Sequence, residues 1–234
     1  MIKNKTLFIT ATDTGVGKTM VSGLLLSYLH RHSINAGYQK WVSTGDAENP
    51  ADLLSCMKMA DIEQNPNLLN LQVPYRFKFP ASPHLAAALE KKKIDPEKIT
   101  NAYRKMCAIY EIMVVEGVGG LLVPLRDDLL LADLLASLNL PTILITRSGL
   151  GTINHTLMTI EAMHSRQIPV TGVIFTDTAE GNEVIVQDNI KTISKIGQIE
   201  VLGRLPYCRD EKELIEAFTP IGERILALLN SNPN

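Results

Sequence analysis

The sequence predicts an α/β fold in which a doubly wound, mostly parallel sheet carries helices on both of its faces. The first observation is a series of short, continuous apolar runs rich in β-branched residues, which is the pattern of parallel strands buried on both faces. The second is that these runs alternate with stretches of helical period along the whole chain, as right-handed βαβ units require. The 234 residues contain no repeat or linker and are predicted to form a single domain, 1–234.

The individual elements follow from the same two patterns. Strands are predicted in the apolar runs at residues 6–10, 36–40, 112–116, 142–146, 170–175 and 201–205. Helices are predicted in the periodic stretches at residues 18–32, 96–110, 130–138, 152–166, 183–195 and 211–229. Pro220 lies inside the last stretch, and because proline removes a backbone donor we expect that helix to be kinked or split there. The interval 42–94 is less regular and contains five prolines, which is typical of an excursion that carries function rather than core.

Composition and charge exclude several classes of protein. A formal net charge of −2 lacks the basic excess expected of a nucleic-acid-binding protein. No apolar run approaches the roughly 20 residues of a membrane span, and the run at residues 1–10 is too short for a signal peptide, so we expect a cytoplasmic protein. Three widely spaced cysteines suggest neither a disulfide framework nor a zinc site.

A glycine-rich segment joins the first strand to the first helix. Residues 7–19 read Leu-Phe-Ile-Thr-Ala-Thr-Asp-Thr-Gly-Val-Gly-Lys-Thr. Glycines let backbone N–H groups point into a concavity, and the start of the helix adds partial positive charge. Lys18 is expected to reach the β- and γ-phosphates of a nucleotide and the Thr19 hydroxyl to bind Mg²⁺. Thr12 stands where the strict motif has its first glycine, yet Gly-Lys-Thr after a buried strand still predicts a P-loop that binds a nucleoside triphosphate with Mg²⁺.

Charged side chains follow or end the other predicted strands. Glu116 ends the run at 112–116 and is followed by three glycines within four residues, which lets a ligand approach the backbone closely. Lys40 ends the second strand, at the same carboxyl edge of the sheet where α/β proteins bind ligands. Asp52 follows Pro50 and Ala51, and the residue pattern alone leaves it open whether Asp52 caps a helix or binds metal.

Six segments, in order along the chain, resemble the dethiobiotin synthetase family. They are ATDTGVGKT at 11–19, KWVSTG at 40–45, PASPHLAA at 80–87, EGVGG at 116–120, LGTINHT at 150–156 and GRLP at 203–206. The corresponding family patterns are G-T-D-T-x-V-G-K-T, K-P-V-x-[ST]-G, P-x-S-P-x-x-A-A, E-G-A-G-G, L-G-x-I-N-H and G-x-[IL]-P. The sequence departs from them at Ala11, Trp41 and Val118, none of which is a reacting group. The match of Ala51-Asp52 to the family's S-D pair favours the metal-binding interpretation of Asp52.

The resemblance implies a ligase that converts 7,8-diaminononanoate, CO₂ and MgATP into dethiobiotin, ADP and phosphate through carbamate and carbamoyl phosphate intermediates. The residues expected to be catalytic are Lys40, Lys18 and Thr14. Nucleotide contacts are expected from Gly15, Val16, Gly17, Lys18, Thr19, Met20, Asp52, Glu116, Gly117, Val118 and Gly119, and at the base from Thr176, Asp177, Leu205, Pro206 and Tyr207. The magnesium ligands are expected to be Thr19, Asp52 and Glu116, and the diamine contacts Thr44, Ser82, Pro83, Gly151, Thr152 and Asn154.

The resemblance also implies a homodimer in which residues 151–154 of one subunit complete the diamine site of the other. At the base, Thr176-Asp177 stand where the family often has an asparagine. The amide of asparagine can donate to N7 and accept from N6, and a threonine hydroxyl with its single proton cannot form that bidentate pair. We therefore expect weaker selection of the base.

Two other classes of protein share such a P-loop domain. ATPases of the partitioning and division class carry an additional lysine at the head of the loop, where this chain has Thr-Asp-Thr-Gly-Val. Amidoligases related to cobyrinate amidation append a glutaminase domain, for which 234 residues leave no room. Both remain alternatives to a dethiobiotin synthetase.

Overall fold

A computed structural model describes residues 5–208 and 210–231 of the chain. The strands are β1 (Lys5–Ala11), β2 (Ala36–Lys40), β3 (Val42–Thr44), β4 (Tyr75–Phe77), β5 (Ile112–Glu116), β6 (Pro124–Arg126), β7 (Leu129–Leu130), β8 (Thr142–Arg147), β9 (Val170–Thr176) and β10 (Val201–Leu205). The helices are α1 (Lys18–Arg31), α2 (Ala51–Met59), α3 (Leu69–Gln72), α4 (Pro83–Leu89), α5 (Pro96–Cys107), α6 (Leu131–Leu138), α7 (Thr152–Ser165), α8 (Glu183–Gly197) and α9 (Glu211–Ser231). A short 3₁₀ helix, Pro66–Leu68, precedes α3.

Six strands form one parallel sheet in the order β10-β9-β8-β1-β5-β2. The strand order reverses beside β1, because the chain leaves β1 toward β2 and leaves β8 toward β9. In open α/β sheets the crevice at such a reversal, outside the carboxyl ends of the strands, is where ligands bind. The predicted doubly wound α/β fold is confirmed.

The core lies on both faces of this sheet because successive side chains of a strand point to opposite faces. In β1, Leu7 and Ile9 join a cluster with α1, α2 and α9, whereas Phe8 joins a second cluster that includes Trp41. The ring centroids of Phe8 and Trp41 are 4.7 Å apart, so the tryptophan found where the family has proline belongs to this second cluster.

The six predicted strands of the sheet lie where the apolar runs placed them, within one residue at each end. The β2–β5 register pairs Lys40 with Glu116 and Gly37 with Met113. This register brings two of the residues expected at the site to adjacent positions at the carboxyl edge.

Helix α9 runs as one helix from Glu211 to Ser231 with Pro220 inside it, so it is not split there. The other alternative, a kink at Pro220, stays a prediction. Proline removes the donor that the carbonyl of Glu216 would bond, but Glu216, Thr219 and Pro220 are all exposed, so water can bond that carbonyl.

The irregular interval 42–94 contains more structure than its sequence pattern indicated. Here β3 and β4 form a parallel pair, α2 lies between these two strands in the chain, and α4 follows β4. These elements are three to nine residues long, too short to show a clear period. In the described part of the chain, no helix combines the length and apolar character needed to cross a bilayer.

Candidate active site

The turn between β1 and α1 is a glycine-containing loop that leads directly into the first turn of α1. Gly15 and Gly17 have φ angles of +73° and +101°, a left-handed conformation that glycine adopts without strain. Gly17 is the residue before the first turn of α1, and a side chain there would lie 3.2 Å from the Thr176 methyl group. The start of α1 thus faces the carboxyl edge of the sheet, where its free N–H groups can receive an anion.

Lys18 is folded back into this loop. Its Nζ donates to the carbonyl of Asp13 at 2.9 Å, and the side chain is buried. Burial, together with the nearby ammonium of Lys40, lowers the pKa of Lys18 to about 8. A phosphate group bound in the loop would supply the counter-charge that this amine lacks.

A group of charged and polar side chains meets beside the loop. The Nζ atom of Lys40 lies 2.6 Å from Asp52 Oδ2 and 2.7 Å from Glu116 Oε1. The hydroxyl of Thr19 lies 2.9 Å from Asp52 Oδ1 and 3.0 Å from Glu116 Oε1. The four side chains come from β2, α2, β5 and α1, so the sheet edge and two helices position them together.

Burial and charge act in opposite directions on Lys40. Burial by itself would lower the pKa of this lysine, but the carboxylates of Glu116 and Asp52 outweigh that effect and raise it. For Asp52 burial would raise the pKa, and the ammonium of Lys40 reverses the direction and lowers it. Lys40 therefore stays charged between the two carboxylates.

A carboxylate set of this kind suits magnesium. Two carboxylates and a threonine hydroxyl are oxygen donors, which magnesium prefers, and it commonly keeps waters and substrate phosphates as its other ligands. Asp52 is the second residue of α2, and its helix is preceded by Pro50 without a side-chain cap. Its carboxylate is therefore not the N-cap that the sequence left open. Among residues 5–208 and 210–231, no three His, Cys, Asp or Glu side chains cluster as metal ligands, so phosphate oxygens and water would have to complete the coordination.

These side chains line a cavity of about 480 Å³ at the carboxyl edge of the sheet. The cavity is lined by Thr14, Gly15, Gly17, Lys18, Thr19, Met20, Lys40, Thr44, Asp52, Glu116, Val118 and Gly119. All of them were expected from the sequence to be catalytic or to contact nucleotide, metal or diamine. Two others lie behind the surface: Val16 is buried in the core, and Gly117 packs on Phe8 and donates its N–H to the carbonyl of Ile9.

The residues expected at the base have other partners. The Thr176 hydroxyl is buried and donates to the carbonyl of Val16 at 2.6 Å, which ties the end of β9 to the phosphate loop. Both carboxylate oxygens of Asp177 accept from Arg204, at 2.6–3.0 Å, and Oδ1 also accepts from Ser148.

The rest of the expected base segment follows β10. Leu205 is buried and its carbonyl accepts from the backbone N–H of residue 177, whereas Pro206 and Tyr207 are exposed.

The residues expected at the diamine lie in three places. Thr44 lines the cavity, and Ser82 and Pro83 begin α4 beyond the β3–β4 pair. Gly151 and Asn154 line a separate hollow of about 550 Å³ at the start of α7.

Thr152, which belongs to the same α7 segment, is turned inward. Its hydroxyl lies 2.9 Å from that of Thr146 and 3.1 Å from that of Thr156. Within one chain the structure therefore does not bring the α7 segment to the cavity that contains Lys40.

Three positions that the sequence did not single out take part in these contacts. Tyr38 donates its hydroxyl to Glu116 Oε2 at 2.8 Å, and burial raises the pKa of this phenol well above its usual value. Asn189 donates to the carbonyls of Ser148 and Gly149, which fixes the turn before α7. Arg204 lies in the GRLP segment at the family's variable position, and Tyr38 and Asn189 look like ordinary strand and helix residues in the sequence.

The chain is similar in sequence to proteins of known family. A family model described as an AAA domain matches residues 5–213. The ATP-dependent dethiobiotin synthetase BioD of Methanocaldococcus jannaschii is 39% identical over 202 residues, which cover 84% of this chain and 92% of the relative. The enzyme of the same name from Brucella ovis is 42% identical over 208 residues, 88% of each chain.

Solved structures resemble the fold at much lower identity. The MinC:MinD cell division protein complex of Aquifex aeolicus superposes with a TM-score of 0.61 at 12% identity, over 95% of this chain and 96% of that one. The cell division ATPase MinD of Pyrococcus furiosus gives 0.58 at 15% identity, over 96% and 99%. At such identities the likeness shows a shared P-loop α/β fold alone.

Proposed function

This chain belongs to the ATP-dependent dethiobiotin synthetases, which are ligases, and we propose that it closes the ureido ring of dethiobiotin from 7,8-diaminononanoate, CO₂ and MgATP. The observation that carries the proposal is the meeting of Lys18, Lys40 and the Thr19–Asp52–Glu116 set in one cavity at the carboxyl edge of the sheet. The reaction brings several anions together, and this cavity offers the cations to neutralise them.

The chemistry has three steps. One amine of the substrate adds to CO₂ and loses a proton, which gives a carbamate. A carbamate oxygen then attacks the γ-phosphorus, and the bond from that phosphorus to the ADP oxygen breaks. The second amine attacks the carbonyl carbon of the resulting carbamic–phosphoric anhydride, phosphate leaves and the five-membered urea ring closes.

The protein contributes position and charge rather than a nucleophile. We propose that Lys18 leaves the Asp13 carbonyl to contact the β- and γ-phosphates, while the backbone N–H groups of residues 14–19 surround them. Lys40 already lies between two carboxylates and would face the carbamate oxygen and the γ-phosphate. Thr14 and Thr44 line the same cavity and would donate hydrogen bonds to the carbamate.

We propose that Mg²⁺ is held by the Thr19 hydroxyl and the carboxylates of Asp52 and Glu116. A bound Mg²⁺ would neutralise charge on the β- and γ-phosphates as the phosphoryl group moves. Since Lys40 contacts both carboxylates, its ammonium would have to share them with the metal or turn toward the substrate.

A homodimer would explain the position of the α7 segment. Gly151 and Asn154 lie outside the main cavity within one chain, and the start of α7 offers free N–H groups suited to the carboxylate tail of the diamine. Leu150 and Met158 are exposed by 83% and 60% and line the same hollow, and exposed apolar side chains that lie together mark interaction surfaces. We propose that this surface meets a second copy and that Gly151 and Asn154 complete the partner's diamine site.

The experiment that tests this function follows a labelled carbon. Enzyme, MgATP, 7,8-diaminononanoate and ¹³C-bicarbonate should give dethiobiotin one mass unit heavier than the unlabelled product, with one ADP formed per product. Omission of the diamine should stop ADP formation, and Lys40→Ala serves as the inactive control. ADP released at the same rate with and without the diamine would show an ATPase instead.

A further inference from the structure

A buried tyrosine contacts the carboxylate that is expected to bind magnesium. Tyr38 and Glu116 are both fully buried, and the phenol donates to Glu116 Oε2 at 2.8 Å. Tyr38 precedes Lys40 by two residues in β2, so the two side chains leave the strand on the same face. The β2–β5 register pairs Lys40 with Glu116, and both residues of β2 can therefore reach this one carboxylate.

The two oxygens of Glu116 have separate partners. Oε1 accepts from Lys40 at 2.7 Å and from Thr19 at 3.0 Å, on the side of the cavity. Oε2 accepts from Tyr38 on the side of the core. A carboxylate rotates about its last carbon–carbon bond, and the hydrogen bond at Oε2 opposes that rotation. Oε1 is therefore directed toward the cavity, beside the hydroxyl of Thr19.

We infer that Tyr38 is a positioning residue that holds Glu116 with one oxygen presented to the metal of the bound nucleotide. This inference rests on the magnesium site of the proposed function. Hydrogen-bond partners behind a metal ligand typically change metal affinity by about 10–100-fold when they are removed. Without the phenol, Oε2 would lose the donor described here, and the carboxylate would turn to share both oxygens with Lys40.

The test measures metal binding without turnover. Mn²⁺, a spectroscopic substitute for Mg²⁺, is titrated into the enzyme–ADP complex, and free Mn²⁺ is followed by electron paramagnetic resonance. Tyr38→Phe should weaken Mn²⁺ binding by about 10–100-fold. The affinity for ADP in the presence of EDTA should stay within twofold of the parent, because the metal-free nucleotide does not need Glu116 to be oriented.

Two further variants keep the test decisive. Tyr28→Phe is the matched control, since Tyr28 lies ten residues along α1 from Lys18, about 15 Å away, and packs on His32 and Phe218. Replacement of Tyr38 by 4-aminophenylalanine keeps a donor at the same place and should restore Mn²⁺ affinity. If the phenylalanine variant folds poorly, this second variant still shows whether a donor at this position supports Mn²⁺ binding.

Each outcome separates the inference from the proposed function. If the parent enzyme with ADP binds no Mn²⁺, the proposed magnesium site is wrong. If the parent binds Mn²⁺ and Tyr38→Phe binds it equally well, Tyr38 does not position Glu116. If metal-free ADP and Mn²⁺ weaken together in Tyr38→Phe, the tyrosine supports the whole site structurally and the inference is overturned.

Discussion

Replacement of Lys40 by methionine should lower stability and activity together, because its one ammonium lies between two carboxylates. It lies 2.6 Å from Asp52 and 2.7 Å from Glu116, and it is almost fully buried. Removal of one partner from a buried ion pair typically costs about 3–5 kcal/mol. Because the Asp52 side chain is 36% exposed and water can reach it, we expect the low end, about 3 kcal/mol.

For a chain of this size each kcal/mol shifts the Tm by about 2–4 °C, so Lys40→Met should lower it by about 6–12 °C. The loss of one charge contact to the transition state should lower kcat by about 10²–10³-fold. Mg²⁺ should recover part of the lost Tm in Lys40→Met, since a divalent cation can take the place of the ammonium between the carboxylates.

The assay is differential scanning fluorimetry with and without Mg²⁺, followed by steady-state rates of dethiobiotin formation. Lys58→Met is the matched control, because Lys58 is exposed on α2, the helix that carries Asp52. A Tm equal to that of the control would refute the reasoning that Lys40 bridges the two carboxylates. A kcat within tenfold of the parent would refute its charge contact to the transition state.

Three other outcomes are expected. The pKa of Lys18 is lowered to about 8, so about half of these amines are uncharged at pH 8 and almost none at pH 6. The phosphates of bound ADP favour the charged amine, so the enzyme should take up about half a proton on binding ADP at pH 8 and almost none at pH 6. Calorimetry in buffers of different ionisation enthalpy measures this uptake, and equal uptake at both pH values would contradict it. An equal mixture of Lys40→Ala and Asn154→Ala subunits should regain about a quarter of the parent activity after subunit exchange, because half of the dimers then contain one complete site. A mixture as inactive as its parents would exclude shared sites. Initial rates with ATP, CTP, GTP and UTP should lie within about tenfold of one another, and Thr176→Val should slow all four alike, because its hydroxyl bonds the Val16 carbonyl. A preference for ATP above about a hundredfold would show that another group selects the base.

The sequence could predict the sheet and the charges at its edge because both depend on short-range patterns. Buried parallel strands are continuous apolar runs, so Lys40 and Glu116 are visible as charges at the ends of such runs. Asp52 was ambiguous on its own pattern, because it would be the N-cap of a helix that begins at Leu53 but is the second residue of the helix that begins at Ala51. Tyr38 could not be recognised, because a tyrosine inside a buried strand looks like any core aromatic residue until its partner across the sheet is known.

Hydrogen bonds between side chains and other groups inside the protein are the second limit on predicting the site from the sequence. Thr176 and Asp177 have polar atoms that could contact a base, and the family resemblance implied that role for these residues at the end of β9. In the structure the hydroxyl of Thr176 donates to Val16, and the carboxylate of Asp177 is held by Arg204. A hydroxyl has one proton to donate, so a hydroxyl that donates to an acceptor inside the protein cannot donate to a ligand. No pattern along the chain shows this competition, because the partners are 27 to 160 residues away.

The cavity forms only when β2 and β5 pair in the correct register. A slip of one residue would place Gln39 opposite Glu116 and turn Lys40 to the opposite face of the sheet. Gly37 opposes such a slip, because a side chain at that position would come within 2.4 Å of the ring of Tyr110. In a misregistered chain the Lys40 ammonium would thus be absent from between the two carboxylates, and no intermediate position would keep part of that contact. Preparations of partly misfolded enzyme should therefore be mixtures of fully active and inactive molecules, with an unchanged KM and a lower apparent kcat.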